Sequence, residues 1–122
     1  MAAERHRRVA SAVAVLAATA ALALGCGGPD SPEVPEDAGG TADPVLVEGR
    51  DVYQARCASC HGASGGGGAG PALNDGRMVD AYPDVADQID VIANGRGAMP
   101  AFGERLSAEE IEAVVRYTRE VL

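Results

Sequence analysis

Apolar residues recur at helical spacing in three separate stretches of this chain. In the first, Asp43-Pro44 has the form of a helix start, with an N-cap carboxylate and proline at the first helical position. Val45, Gly49, Val52, Tyr53 and Arg56 follow at helical spacing. In the last stretch Ile111, Val114, Val115, Thr118 and Leu122 keep the 3.6-residue period, with Tyr117 at the edge of that face. Ser107 and Glu110 stand in the positions of a capping box, Leu106 and Ile111 in those of a hydrophobic staple. Between the two, a third helix is predicted from about Pro83 to Asn94-Gly95, a good C-terminal stop. Val85, Ile89 and Ile92 give its inner face, and Asp84, Asp87 and Asp90 its wet one. Gly49 is a poor helix-interior residue, costing about 1 kcal/mol relative to alanine. It has a use if another helix backbone approaches it; otherwise it is a tolerated surface glycine. The run Gly65 to Gly68 predicts a mobile loop, because a phosphate cradle would want a preceding strand and a following Lys-Ser/Thr, and neither is present.

The N-terminal part obeys other rules. Arg5, Arg7 and Arg8 precede an apolar run from Val9 to Leu24 broken by Ser11 and Thr19, which makes residues 1–25 an export signal. The run is short for a membrane span, which needs about 20 apolar residues. Leu22-Ala23-Leu24-Gly25-Cys26 resembles the lipobox of bacterial lipoproteins. That resemblance implies that Cys26 becomes the lipid-bearing N-terminus, although Ala23 stands where the family prefers Leu. The alternative is an ordinary secretory signal cut nearby. An unpaired third cysteine in an exported chain needs an explanation, and lipid supplies one. Residues 26–44 then alternate Pro29, Pro32, Pro35 and Pro44 with acids, glycines and small polar residues, and Val34 is the one larger apolar side chain. This composition predicts a flexible spacer with an r.m.s. reach of about 25 Å over its 18 residues from Gly27. The folded domain is then 45–122.

Composition limits what that domain can be. With one Phe, three Tyr and no Trp, it has few large side chains to fill a core. A small domain of this kind commonly relies on a staple, and a bound flat apolar group would serve. All ten basic residues are arginine, and the formal net charge is −8. Loss of residues 1–25 removes Glu4 and three arginines, a net +2, and leaves −10. Five of those acids (Asp30, Glu33, Glu36, Asp37 and Asp43) lie in the spacer, so the folded part carries about −5. No basic face exists for nucleic acid. The acidity serves solubility, or steers the protein toward a basic docking surface.

The chemistry is concentrated in Cys57-Ala58-Ser59-Cys60-His61. This is C-x-x-C-H, the attachment pattern of a c-type haem. Two thiols at i, i+3 lie on one side of a helical turn, where they form thioethers to two vinyl groups, and the adjacent imidazole supplies one axial ligand to the iron. The competing readings are a redox dithiol, a half-site for zinc, or two core cysteines. A dithiol has no need of the histidine, and zinc wants four ligands where no second Cys/His cluster exists.

The arrangement around the motif resembles a class I cytochrome c: a helix ending in C-x-x-C-H, a loop with Gly70-Pro71-Ala72-Leu73, a further helix, a Met99-Pro100 segment and a C-terminal helix. The resemblance covers residues 45–122. It implies an all-α fold of three to five helices wrapped around one covalent haem c. Gly49 and Tyr53 match the family's first-helix contact residues, with Val114 and Tyr117 opposite them. The family's carbonyl that accepts a hydrogen bond from the haem histidine falls on Pro71, and Leu73 packs on the haem. For the sixth ligand, His6 lies in the signal, lysine is absent and both motif cysteines are consumed, which leaves Met78 and Met99. Met99 has the family's loop context; Met78 packs against the haem or faces solvent. Arg77 and Arg96 either pair with haem propionates or are solvated.

With both axial positions filled, the expected function is one-electron transfer between membrane redox complexes, by a monomer that is not an enzyme. It is expected in the periplasm or at the outer face of the cytoplasmic membrane, anchored through Cys26. The alternatives are a haem subunit of a larger dehydrogenase or oxidase, and a ligand-binding sensor or weak peroxidase with a labile Met99.

Overall fold

Asp43 begins the first helix as its sequence requires: the carboxylate accepts from the Val45 N–H at 2.9 Å, with Pro44 at the first position. The computed structural model describes residues 30–122, so the export signal and Cys26 lie outside the described residues. Within them the order is α1 (Pro44–Arg56), α2 (Ala58–His61), α3 (Arg77–Ala81), α4 (Val85–Asn94) and α5 (Ala108–Glu120). The only β pairing described is two isolated bridges, Glu36 with Ala42 and Arg96 with Met99. The all-α expectation holds.

The frame is the crossing of α1 and α5. A side-chain carbon on Gly49 would lie 2.6 Å from the Ala113 carbonyl carbon and 2.9 Å from Tyr117 Cβ, so only glycine lets the two helices meet there. Ala113 takes the place opposite Gly49 that the family resemblance gave to Val114. Val114 is instead buried in the core with Val115, Ile111, Val52 and the two tyrosines. The start of α5 carries the expected capping box, Glu110 N–H to Ser107 Oγ at 3.2 Å and Ser107 N–H to Glu110 Oε2 at 2.8 Å. Leu106 and Ile111 close the staple, both buried. Arg116 of α5 reaches Asp43 at 3.1 Å, joining the two helices at the α1 start.

Three expectations change. The predicted third helix exists as α4, starting at Val85 with Asp84 as its cap. Its buried residue is Gln88, at 3% exposure, whereas Val85 is exposed. The amide is tolerated there because it donates to Thr118 Oγ1 at 2.9 Å and accepts from Arg119 at 3.1 Å. The glycine run is pinned rather than free: Gly67 N–H donates to the His61 carbonyl at 2.7 Å, Gly70 N–H to the Cys60 carbonyl at 2.8 Å, and Leu73 N–H to the Gly65 carbonyl at 2.7 Å.

The third change is the spacer expected over 26–44. From Ser31 onward it lies on the domain as a strap, with Ser31 and Val34 buried. Asp37 turns it back, its carboxylate accepting from the N–H groups of Gly39 and Thr41 at 2.7 and 3.0 Å. Composition scores side chains, and here backbone carbonyls are held as well, by Arg50 and Tyr117.

Candidate functional site

The end of α1 delivers the motif. Cys57 caps α1 and opens α2, half-buried against the core, while Cys60 is exposed and His61 is buried at the last position of α2. Gly62 follows with φ +84°, a conformation that ends the turn without strain only for glycine. Tyr53 donates its hydroxyl to the Gly62 carbonyl at 2.7 Å and so fixes the chain on leaving the histidine.

His61 Nδ1 lies 2.8 Å from the Pro71 carbonyl oxygen. A carbonyl only accepts, so Nδ1 carries the proton and the lone pair is on Nε2. A hydrogen bond of this kind fixes the orientation of the imidazole, so Nε2 would be the atom offered to a haem iron. Gly70 explains why the ring stays there. A side-chain carbon on Gly70 would lie 2.8 Å from Cε1 and 2.9 Å from Nδ1. Gly70 appeared in the sequence only as part of the Gly-Pro-x-Leu loop; that its missing side chain is the space for the imidazole is visible only in three dimensions.

The other expected residues gather on the same core. Leu73 and Met78 are buried in it, and Met99 is half-buried against it. An open cavity of about 470 Å³ is lined by Pro71, Ala72, Arg77, Met78, Asp80, Ala81 and Tyr82. It shares Pro71 with the histidine's hydrogen bond. Met99 is presented by a tight return of the chain, with Arg96 and Met99 exchanging backbone hydrogen bonds of 3.1 and 3.0 Å. Gly95 makes the return possible: at φ +76° it sits where a side-chain carbon would be 2.6 Å from the Met99 carbonyl oxygen. Arg77 and Arg96 are both exposed, and Arg96 donates to the Tyr82 hydroxyl at 3.3 Å.

These observations weigh against the competing chemistries. A reactive dithiol has a lowered thiol pKa. Burial, with the neighbouring Cys60 adding to it, pushes the Cys57 thiol the other way, to about 11. Among the described residues no cluster of three or more His, Cys, Asp or Glu side chains forms a zinc site. What remains fits haem c: two thiols on one turn, an imidazole whose Nε2 is available, and a buried apolar cluster with Leu73 and Met78 against which Cys57 and Met99 pack. Haem supplies an iron that alternates between Fe(II) and Fe(III).

Comparison with known proteins agrees. The family described as "Cytochrome C oxidase, cbb3-type, subunit III" matches residues 44–117. Cytochrome c6 of Microcystis aeruginosa is 43% identical over 72 residues, covering 57% of this chain and 89% of that protein. The FixP subunit of the cbb3-type oxidase of Azorhizobium caulinodans is 38% identical over 78 residues, but this chain spans only 26% of its length. The crystal structure of cytochrome c6 from the diatom Phaeodactylum tricornutum superposes with a TM-score of 0.52 at 35% identity, covering 60% of this chain and 88% of that one. With its motif, its helical frame and these relatives, the chain belongs to the c-type cytochromes, in the family whose profile spans its haem domain, and it is a monohaem protein carrying haem c.

Proposed function

We propose that this protein is a one-electron carrier between membrane-bound redox complexes, with its haem attached through Cys57 and Cys60 and its iron held by His61 and Met99. The observation that carries the reading is the His61–Pro71 hydrogen bond, which leaves Nε2 as the ligating atom on one side. Met99, half-buried on a glycine-hinged return, is the candidate on the other. A His/Met pair raises the potential and leaves no open position for oxygen or peroxide. Leu73, Met78 and Phe102 supply buried apolar surface.

The test is spectroscopic. Acidified-acetone extraction should leave the colour on the polypeptide. The oxidised protein should show the weak methionine-sulfur-to-iron charge-transfer band, and the reduced protein should bind carbon monoxide poorly. Met99→Ala should lose the band, lower the potential and open the iron to carbon monoxide. Loss of the band in Met78→Ala instead would overturn the ligand assignment.

The export signal over residues 1–25 and lipid on Cys26 belong to the same proposal. They place the carrier at the outer face of the cytoplasmic membrane or in the periplasm. One acyl chain binds only marginally, and the two or three that bacterial lipoproteins carry suffice for stable anchoring. Cys26→Ser should move the haem protein to the soluble fraction with its spectrum unchanged. The likeness to a segment of FixP supports a second reading, a fixed subunit of a larger oxidoreductase. Co-purification after mild cross-linking separates the two, since a fixed subunit returns with stoichiometric partners.

A further inference from the structure

The strap is gripped along its length. Arg50, midway along α1, donates from Nε to the carbonyl oxygens of Ser31 and Pro32, both at 3.1 Å, and from Nη2 to Glu33 at 2.6 Å. Tyr117 of α5 donates its hydroxyl to the Pro32 carbonyl at 2.7 Å, and Gln54 donates to the Asp30 carboxylate at 2.7 Å. The Arg50 side chain is only 16% exposed, so water competes poorly for its charge-assisted bonds to the two carbonyls, while the Glu33 carboxylate stays in water. The partners also give the strap a direction. Asp30 lies at Gln54, residues 31–33 lie at Arg50 one turn earlier, and the strap ends at Asp43, which caps the first turn of α1. It therefore runs antiparallel to α1. Gln54 is three residues from Cys57, about 4.5 Å along the helix axis.

We infer that the strap fixes where the membrane tether leaves the domain, so that lipid on Cys26 holds the haem-attachment end of α1 at the bilayer surface. This rests on the anchoring proposed above. Four residue steps lead from Cys26 to Asp30 and span at most about 14 Å, against about 60 Å for an unclasped stretch from Cys26 to Pro44. The domain is thus confined near its lipid with one end turned to the membrane. The strap's own acids, Glu33, Glu36 and Asp37, are exposed and repel anionic headgroups, so the tether and not adsorption sets the orientation. The partner this geometry fits is a membrane-embedded redox protein that presents its centre close to the bilayer surface.

The test uses the full lipidated protein in phosphatidylcholine vesicles that carry a headgroup fluorophore, which the haem quenches in proportion to its closeness. Wild-type protein should quench strongly. The double variant Arg50→Gln/Tyr117→Phe should quench several-fold less, with an unchanged visible spectrum and faster cleavage at Glu33 and Glu36 by a glutamate-specific protease. Ten Gly-Ser residues inserted between Pro29 and Asp30 touch no residue of the folded domain and should lower quenching while cleavage stays slow. Bound protein whose quenching is the same in all three forms overturns the strap's role. Wild-type protein that fails to bind vesicles overturns the anchor, and the orientation with it.

Discussion

Tyr53 and Tyr117 stand side by side where α1 crosses α5, ring centroids 5.6 Å apart and planes tilted by 46°. Both are fully buried, and each sends its hydroxyl out of the crossing to a different piece of irregular chain: Tyr53 to Gly62 beside the haem histidine, Tyr117 to Pro32 in the strap. The pair thus links the helix frame to both segments that matter for function. Tyr53→Phe keeps the ring packing and leaves the Gly62 carbonyl with one donor, the Gly65 N–H at 3.0 Å. It should lower unfolding free energy by about 1 kcal/mol, the net worth of one hydrogen bond, read from denaturant midpoints. A midpoint equal to wild type would show that water replaces the hydroxyl.

The same two phenols make stability fall in alkali. Burial is the main cause that raises both; Tyr117 is pushed up to about 12 and Tyr53 further. A Cys57 thiolate contributes at Tyr53, but a thioether carries no charge, so burial and the neighbouring Tyr117 phenol act once haem is attached. The folded state therefore keeps its phenols neutral at pH values where the unfolded chain ionises them. Their contribution is fully present below about pH 10, the ordinary phenol value, and is lost as pH rises toward the folded values. Thermal midpoints should be level up to that point and decline above it, more gently in Tyr53→Phe/Tyr117→Phe.

Acid acts through Asp43. The Val45 N–H it caps is the largest cause holding its carboxylate below the usual value, and Arg116 adds to it. A lowered carboxylate stabilises the fold above its unfolded pKa, near 4, and that gain disappears as pH falls through the folded value. Asp43→Ala should be less stable than wild type at neutral pH and approach it in acid. Asp43→Asn, which keeps a cap but no charge, should lie between.

Gly70→Ala should be the most damaging conservative change near the motif. Its methyl overlaps the His61 ring, so either the imidazole turns off Pro71 or the loop moves. The expected outcome is a low haem content per polypeptide and, in what is recovered, a shifted Soret band and lowered potential. A wild-type spectrum and potential would show that the loop yields freely.

Sequence made α1 and α5 legible because their signals are local: caps, a staple and a 3.6-residue period within one element. The motif cysteines and histidine were legible because haem attachment demands those types at that spacing. The close approach at Gly49 followed from its poor fit inside a helix and the Pro71 carbonyl from family resemblance; in the structure Gly49 faces the Ala113 backbone and His61 Nδ1 lies 2.8 Å from the Pro71 oxygen. The features not legible depend on partners far along the chain. Gln88 is buried because Thr118 and Arg119 satisfy it, 30 and 31 residues away. The short α3 has no side-chain cap, its N-cap being Gly76 in the left-handed region, so no start signal marked it. The strap looked like a spacer because Tyr117, 85 residues on, is part of what holds it.

The crossing of α1 and α5 also sets the order of events as the protein is made. The surface that α1 buries is supplied chiefly by α5, the last helix of the chain, so the first helix and the motif it carries emerge long before they can be enclosed. Closing a loop of that length is entropically slow. Cys60 stays exposed in the folded domain, but until α5 arrives Cys57 and the imidazole, which end half-buried and buried, are reachable as well. The topology therefore leaves the whole motif open to haem attachment in the exported chain before the C-terminal helix docks.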